Sequence, residues 1–184
     1  HGMRYLTLGS LFIHQPGHEQ ARNYYRDLNL ENATATVRYE VNGVNYTRTV
    51  FSSFSDNVIM VRLEADKSKA LSFSLSYDSP LKSAVTVKGR KLLVRCEGAE
   101  HEGIPAAMHA ECRVEVKTDG MQNTGDKQLV ITDATTATIY ISAATNFVNY
   151  RDVSADASKR AENYLKAAVR KPYETSLAAH VSLY

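Results

Sequence analysis

Six histidines, two cysteines and 20 carboxylates are the groups of this 184-residue chain best suited to move protons, bind metal or attack a substrate. His14 and His18 lie four apart in His-Gln-Pro-Gly-His, the spacing with which a helix presents two zinc ligands on one face. Pro16 and Gly17 stand between them and disfavour a helix, so the segment reads as an exposed turn and no metal site is expected. His101, Glu102 and His109 fall in or beside a loop over residues 98–107. Their types suit an acid–base pair, a ligand set or polar contacts to a sugar, and a solvated polar loop accounts for them equally. Glycosidic chemistry needs two acids placed across the scissile bond. Nothing in the spacing of Glu40, Asp56, Glu64 and Asp78 selects such a pair. The chain has no Gly-x-Ser-x-Gly, no phosphate loop and no dinucleotide fingerprint. No catalytic residue, metal or cofactor is therefore expected. The 11 tyrosines offer sugar-stacking faces, but Trp is absent, and Tyr39 and Tyr77 occupy strand positions where core packing is the expected role.

The elements that carry these residues are mostly strands. Two-residue periodicity dominates residues 34–79: Val37, Tyr39 and Val41 alternate with Arg38 and Glu40. Asn42-Gly43 then marks a hairpin, because both residues tolerate the positive φ of a type I′ turn. The return strand covers residues 44–51 and is rich in Thr, Val, Tyr and Phe. Residues 58–63 form a more continuous apolar run, the pattern of a strand covered on both faces. Lys67-Ser68-Lys69 makes a turn. Leu71, Phe73, Leu75 and Tyr77 next alternate with Ser72, Ser74 and Ser76, giving one apolar and one small polar face. Further strands fit residues 84–88, 91–97, 109–118, 128–133 and 137–143, with turns at Gly89-Arg90, Asp119-Gly120 and Thr124-Gly125-Asp126.

Helices follow. Ser154 or Asp156 can N-cap a helix running to about Arg170, with Ala157, Ala161, Tyr164, Leu165 and Ala168 on one side. Lys166, Arg170 and Lys171 complement the macrodipole near its end. Pro172 breaks it and can start a second helix as its first residue. Tyr173, Leu177, Val181 and Tyr184 recur there as an apolar stripe of helical period. No Gly or Asn stop signal follows, so this helix is expected to continue into a longer protein, with a C-terminal helix that docks back on the domain as the competing reading. At least nine strand-like runs followed by helices predict a mainly β protein: a large antiparallel β-sandwich over residues 1–152 with a helical tail over 153–184.

Composition fits one globular domain. Hydrophobic residues make up 43 %, and 22 basic against 20 acidic residues leave a net charge of +2. No basic cluster exceeds Lys88, Arg90 and Lys91, so no nucleic-acid partner is expected. No apolar run approaches membrane-spanning length, and His1-Gly2-Met3-Arg4 lacks the apolar core of a signal peptide. Cys96 and Cys112 lack zinc spacing. They sit on apparent strands, either as cross-strand neighbours or, the reading preferred here, as buried free thiols.

Several segments in order resemble the N-terminal domain of glycoside hydrolase family 95. Arg4-Tyr5-Leu6-Thr7-Leu8-Gly9-Ser10-Leu11-Phe12-Ile13 resembles its "Y-x-x-L-G-x-L" opening. Tyr25-Arg26-Asp27-Leu28-Asn29-Leu30-Glu31-Asn32-Ala33 is similar to its "Y-R-R-x-L-D-L-x-x-A". Tyr46-Thr47-Arg48-Thr49-Val50-Phe51-Ser52-Ser53 resembles "Y-x-R-E-x-F-x-S", and Asp56-Asn57-Val58-Ile59 resembles "D-x-V-I". Ala144-Thr145-Asn146-Phe147-Val148-Asn149-Tyr150 is similar to a segment late in that domain. Leu177-Ala178-Ala179-His180-Val181-Ser182-Leu183-Tyr184 resembles the start of the linker to the catalytic domain. Asn29 replaces the usual Asp and Thr49 the usual Glu.

The resemblance implies a β-supersandwich preceding a helical linker, an (α/α)6 catalytic barrel and a C-terminal β domain. It implies an inverting α-L-fucosidase acting on terminal α-1,2-linked fucose, with some members preferring α-L-galactosides. Export to the periplasm or beyond is implied as well. The acid and the water-activating residue lie in the barrel, so none is carried over. The expected role is a non-catalytic sandwich whose partner is the barrel of the same polypeptide and whose loops help shape the rim around a fucosylated glycan. Thr145, Asn146 and Phe147 are the first candidates for that rim, with His101 second. Phe147 would stack on a sugar face and Asn146 donate to a hydroxyl; a strand end packed on the linker helix is the competing reading. An independent carbohydrate-binding module is the alternative function, and a small self-contained hydrolase a third.

Overall fold

The computed structural model of the protein describes residues 7–184, so residues 1–6, with the first three of the opening motif, lie outside it. Twelve strands precede two helices: β1 (Ser10–His14), β2 (Arg22–Asn29), β3 (Thr34–Val41), β4 (Val44–Ser53), β5 (Val58–Ala65), β6 (Leu71–Asp78), β7 (Lys82–Lys88), β8 (Lys91–Glu97), β9 (His109–Thr118), β10 (Met121–Gly125), β11 (Gln128–Ala134), β12 (Thr136–Thr145), α1 (Ala157–Val169) and α2 (Tyr173–Leu183). They form a sandwich of two antiparallel sheets. The smaller has the order β1-β6-β11-β10 and the larger β2-β3-β4-β5-β12-β9-β8-β7.

All nine expected strands are present. Asn42 and Gly43 adopt φ of 51° and 71° in the β3–β4 turn, as a type I′ hairpin requires. Three strands went unread. β1 and β10 are five-residue edge strands. β2 is mostly exposed, with a register shift between Arg22 and Tyr25 where Asn23 has positive φ. The turn expected at residues 124–126 begins two residues later. Thr124 and Gly125 pair with Leu129 and Gln128, and Lys127 takes the positive φ instead.

The core lies between the sheets. Val61 and Leu63 of β5, Phe73 and Leu75 of β6, Leu92 and Val94 of β8, Val114 of β9, Leu129 and Ile131 of β11 and Ile139 of β12 pack in one buried cluster. Each such side chain stabilises the fold by about 1.5–3 kcal/mol. A second cluster covers the other face of the large sheet, where Phe51, Val58, Met60 and Tyr140 meet Leu165 and Ala168 of α1. β5 is thus covered on both sides, which is why its sequence is nearly continuously apolar.

Asp156 caps α1 by accepting from the Lys159 backbone N–H at 2.9 Å. Ala157, Ala161, Leu165 and Ala168 form its buried face. Pro172 stands just before α2 rather than as its first residue. The first half of the expected α2 stripe holds, since Tyr173 and Leu177 pack against the second cluster, and the second half is corrected. Ser176 and His180 are the buried residues of the helix, whereas Val181 and Tyr184 are 39 % and 60 % exposed. The His180 ring stacks on Phe51 at 4.8 Å, and its Nε2–H donates to the Ala33 carbonyl at 3.2 Å. Those two contacts fix the rotation of the helix and turn Val181 outward.

Candidate functional site

Two loops and a cavity converge at one end of the sandwich. The β8–β9 loop, residues 98–108, leaves and re-enters the sheet through a Gly98 N–H bond to the Met108 carbonyl at 2.9 Å. Reciprocal backbone bonds between His101 and Ile104 close its tip. Glu102 and Gly103 turn the chain with φ of 50° and 79°. The second loop, residues 146–155, follows β12. Asn149 and Asp152 exchange backbone bonds in it, and Arg160 of α1 donates to the carbonyls of Thr145 and Phe147 at 3.2 and 2.7 Å.

Asn146 joins the two loops. Its Nδ2 donates to the Ala107 carbonyl at 2.9 Å and to the Val153 carbonyl at 2.8 Å, and its Oδ1 accepts from the His109 N–H at 2.9 Å. The residue is 3 % exposed, and both amide hydrogens are committed to backbone. Asn146 therefore acts here as a positioning residue for both loops. Thr145 and Phe147 on either side of it are exposed, and Thr145 Oγ1 accepts from the Phe147 N–H at 3.3 Å. His101 is half-buried at the tip of the neighbouring loop.

Beneath the loops the sandwich is open. A cavity of about 320 Å³ is lined by Leu8, Leu81, Cys96, Met108, Ala143 and Thr145, with Gly98, His109, Ala110 and Ala144 completing the wall. The lining is almost entirely apolar. The Cys96 thiol lies within weak hydrogen-bonding distance of the Leu8 carbonyl, 3.7 Å, and of Ser79 Oγ, 3.6 Å. Cys112, on the adjacent strand, is a free buried thiol like Cys96. Burial, with Cys96 nearby, pushes its pKa up to about 12, so it packs as a hydrophobe.

The other candidates are dispersed. His14 Nε2 lies 2.7 Å from Ser76 Oγ on the small sheet, and His18 Nδ1 lies 3.0 Å from the Tyr39 hydroxyl. Burial lowers the His18 pKa, with Glu19 opposing and Arg48 reinforcing the shift. The pair thus has separate partners. Among the described residues no group of three or more His, Cys, Asp or Glu side chains is placed to hold a metal ion. Glu40 accepts from Asn23, Glu64 pairs with Arg62, and Asp56 takes the Lys171 ammonium. Asp78 ends β6, exposed. Tyr39 stacks on Tyr46 at 5.4 Å and packs against the core, as Tyr77 does.

The expectation for the β8–β9 loop rests on His101, Glu102 and His109. It gives no role to residues 104–108, Ile-Pro-Ala-Ala-Met, all five of which are exposed. A run of apolar residues in a loop was the available signal, since such runs seldom face solvent without a function.

The class of domain this geometry defines is a two-sheet antiparallel sandwich with both helices on the large sheet. Residues 1–150 match the family described as "Glycosyl hydrolase family 65, N-terminal domain", and the chain belongs to that family. It is similar to "Alpha-L-fucosidase 2" of Arabidopsis thaliana, 28 % identical over 188 aligned residues that cover 88 % of this chain and 22 % of the relative. It also has the fold of part of a "Putative kojibiose phosphorylase from human microbiome". That likeness has a TM-score of 0.53 at 12 % identity and covers 87 % of this chain and 22 % of the other. The chain thus spans about a fifth of the length of the proteins it matches.

Proposed function

We propose that the chain is the non-catalytic N-terminal sandwich, over residues 1–152, of a family 95-like α-L-fucosidase, with residues 153–184 beginning its linker to an (α/α)6 barrel. The similarity to an α-L-fucosidase over most of the chain carries this reading. The segments that resemble family 95 motifs support the choice of family. The enzyme would remove terminal α-1,2-linked fucose with inversion, in the periplasm or outside the cell. The sandwich would pack on the barrel and present loops to its rim. Loops held by a rigid sheet suit that task. Phe147 and Thr145 are its exposed candidates, His101 stands second, and Asn146 holds the loops in place.

The test assays this chain and the full-length polypeptide on an aryl α-L-fucoside and on a fucosyl-α-1,2-galactose glycan. Activity in the long form alone is the expected result. Activity in the 184-residue chain would overturn the accessory role and return attention to His101, Glu102 and His109. Hydrolysis of α-L-galactosides in place of fucosides would keep the role and change the sugar.

A further inference from the structure

The loop end of the sandwich carries an apolar surface that the described residues leave uncovered. Residues 104–108 are exposed throughout, with Ile104 at 63 % and Met108 at 38 %. Val148 of the neighbouring loop is 44 % exposed. Met108 and exposed Ala143 both line the cavity below, so the run and the hollow are continuous. The Asn146 side chain bonds the Ala107 carbonyl and the Val153 carbonyl, holding the two loops side by side. A surface built this rigidly loses little entropy when something docks on it.

We infer that this end is the docking surface for the remainder of the same polypeptide, which inserts an apolar side chain into the cavity between Leu81, Met108 and Ala143. The inference rests on the reading of the chain as one domain of a longer enzyme. Three observations choose this occupant. The proteins the chain resembles are between four and five times the length of the matched part, which covers 22 % of each. The cavity wall offers apolar contact and little hydrogen bonding, so an aromatic or branched side chain suits it and a hydroxyl-rich sugar does not. Residues 98–108 carry Glu100 and Glu102 with no Lys or Arg, so the docked segment should surround its apolar anchor with basic residues. Docking here would bring Phe147 and Thr145 to the seam between the two parts, where a substrate rim would form.

Hydroxyl-radical footprinting tests the assignment on the 184-residue chain and the full-length polypeptide. Met121, 58 % exposed on β10, is the internal reference for Met108. Met108 should oxidise at least tenfold more slowly in the long form, with Ile104 and Val148 following and Met121 unchanged. Met108→Asp in the long form should restore the oxidation of Ile104 and Val148. Protection of Leu183 and Tyr184 with Met108 unaffected would overturn the surface and leave domain packing intact. Absence of protection at every residue would remove the domain-packing reading itself. Protection of Met108 in the short chain by millimolar α-L-fucose, or by raising its own concentration, would replace the proposed occupant with a sugar or a second copy and overturn the inference.

Discussion

Glu162 of α1 and Arg113 of β9 form an ion pair that fastens the helix across the large sheet. The same carboxylate accepts from Lys91 of β8 at 2.7 Å and lies 3.3 Å from Lys166 one turn along the helix. Burial alone would raise its pKa; the bonds to Lys91 and Lys166 and the charges of Lys91 and Arg113 bring it down to about 2. A depressed carboxylate pKa stabilises the fold above the unfolded value of 4.5, and that contribution disappears as pH falls through 2. Glu162→Gln should cost about 2–3 kcal/mol at pH 7. Urea midpoints of the two proteins should converge as pH drops from 4.5 towards 2. A gap that stays constant over that interval would remove the ion pair as its cause.

Asn146 makes three side-chain hydrogen bonds to backbone from a position 3 % exposed. Truncation leaves two carbonyls and one N–H without their partner, so Asn146→Ala should destabilise by about 2–4 kcal/mol. Asn146→Asp should do no better, because a carboxylate would face the Ala107 and Val153 carbonyls. Hydrogen exchange at Met108 and His109 should accelerate in both variants. Exchange at wild-type rates would show that the loops hold themselves without this amide.

The thiols should be silent in the native protein. Cys96 and Cys112 are 1 % and 2 % exposed, and Cys112 is protonated far above neutrality, with its pKa pushed up to about 12. An aromatic disulfide reagent at pH 8 should titrate neither thiol in buffer and both in guanidinium. Native reactivity would mean that the loop end opens far enough to expose Cys96 at the cavity wall.

Phe147 separates a substrate contact from a structural one. In the full-length polypeptide, Phe147→Ala should raise KM for a fucosylated glycan several-fold and leave kcat unchanged, since a stacking face adds binding without touching the reacting atoms. Phe147→Tyr should restore the wild-type KM. Equal kinetics for all three proteins would exclude Phe147 from the rim. A fall in kcat shared with Asn146→Ala would instead mark it as support for the loop.

The strands legible in the sequence were those whose two faces differ. β6 alternates Leu, Phe, Leu and Tyr with small polar residues, and its apolar members lie in the core. β2 gave no such signal because most of its residues face water. α2 misled for a physical reason. Tyr173 and Leu177 pack on the sheet as the stripe expects, but further along burial passes to His180, whose ring lies on Phe51 and bonds a carbonyl of a distant turn. The site suffered the same way. Asn146 has the chemistry of a sugar ligand, and only its three backbone partners show that this chemistry is spent internally. Strand order lay beyond any local pattern, because β12 pairs with β5 and β9, far from it in sequence.

That placement of β12 governs how the protein must assemble. β2–β5 and β7–β9 can form as two separate ribbons, each from neighbouring strands. The large sheet exists only after residues 136–145 slide between β5 and β9. Until then both ribbons carry an open apolar edge, a template for pairing with other chains. Closure over such distances is slow, and during synthesis it waits until β12 has left the ribosome. Chains ending before β12 should therefore aggregate rather than fold, and β12 is the strand that turns two ribbons into one sheet.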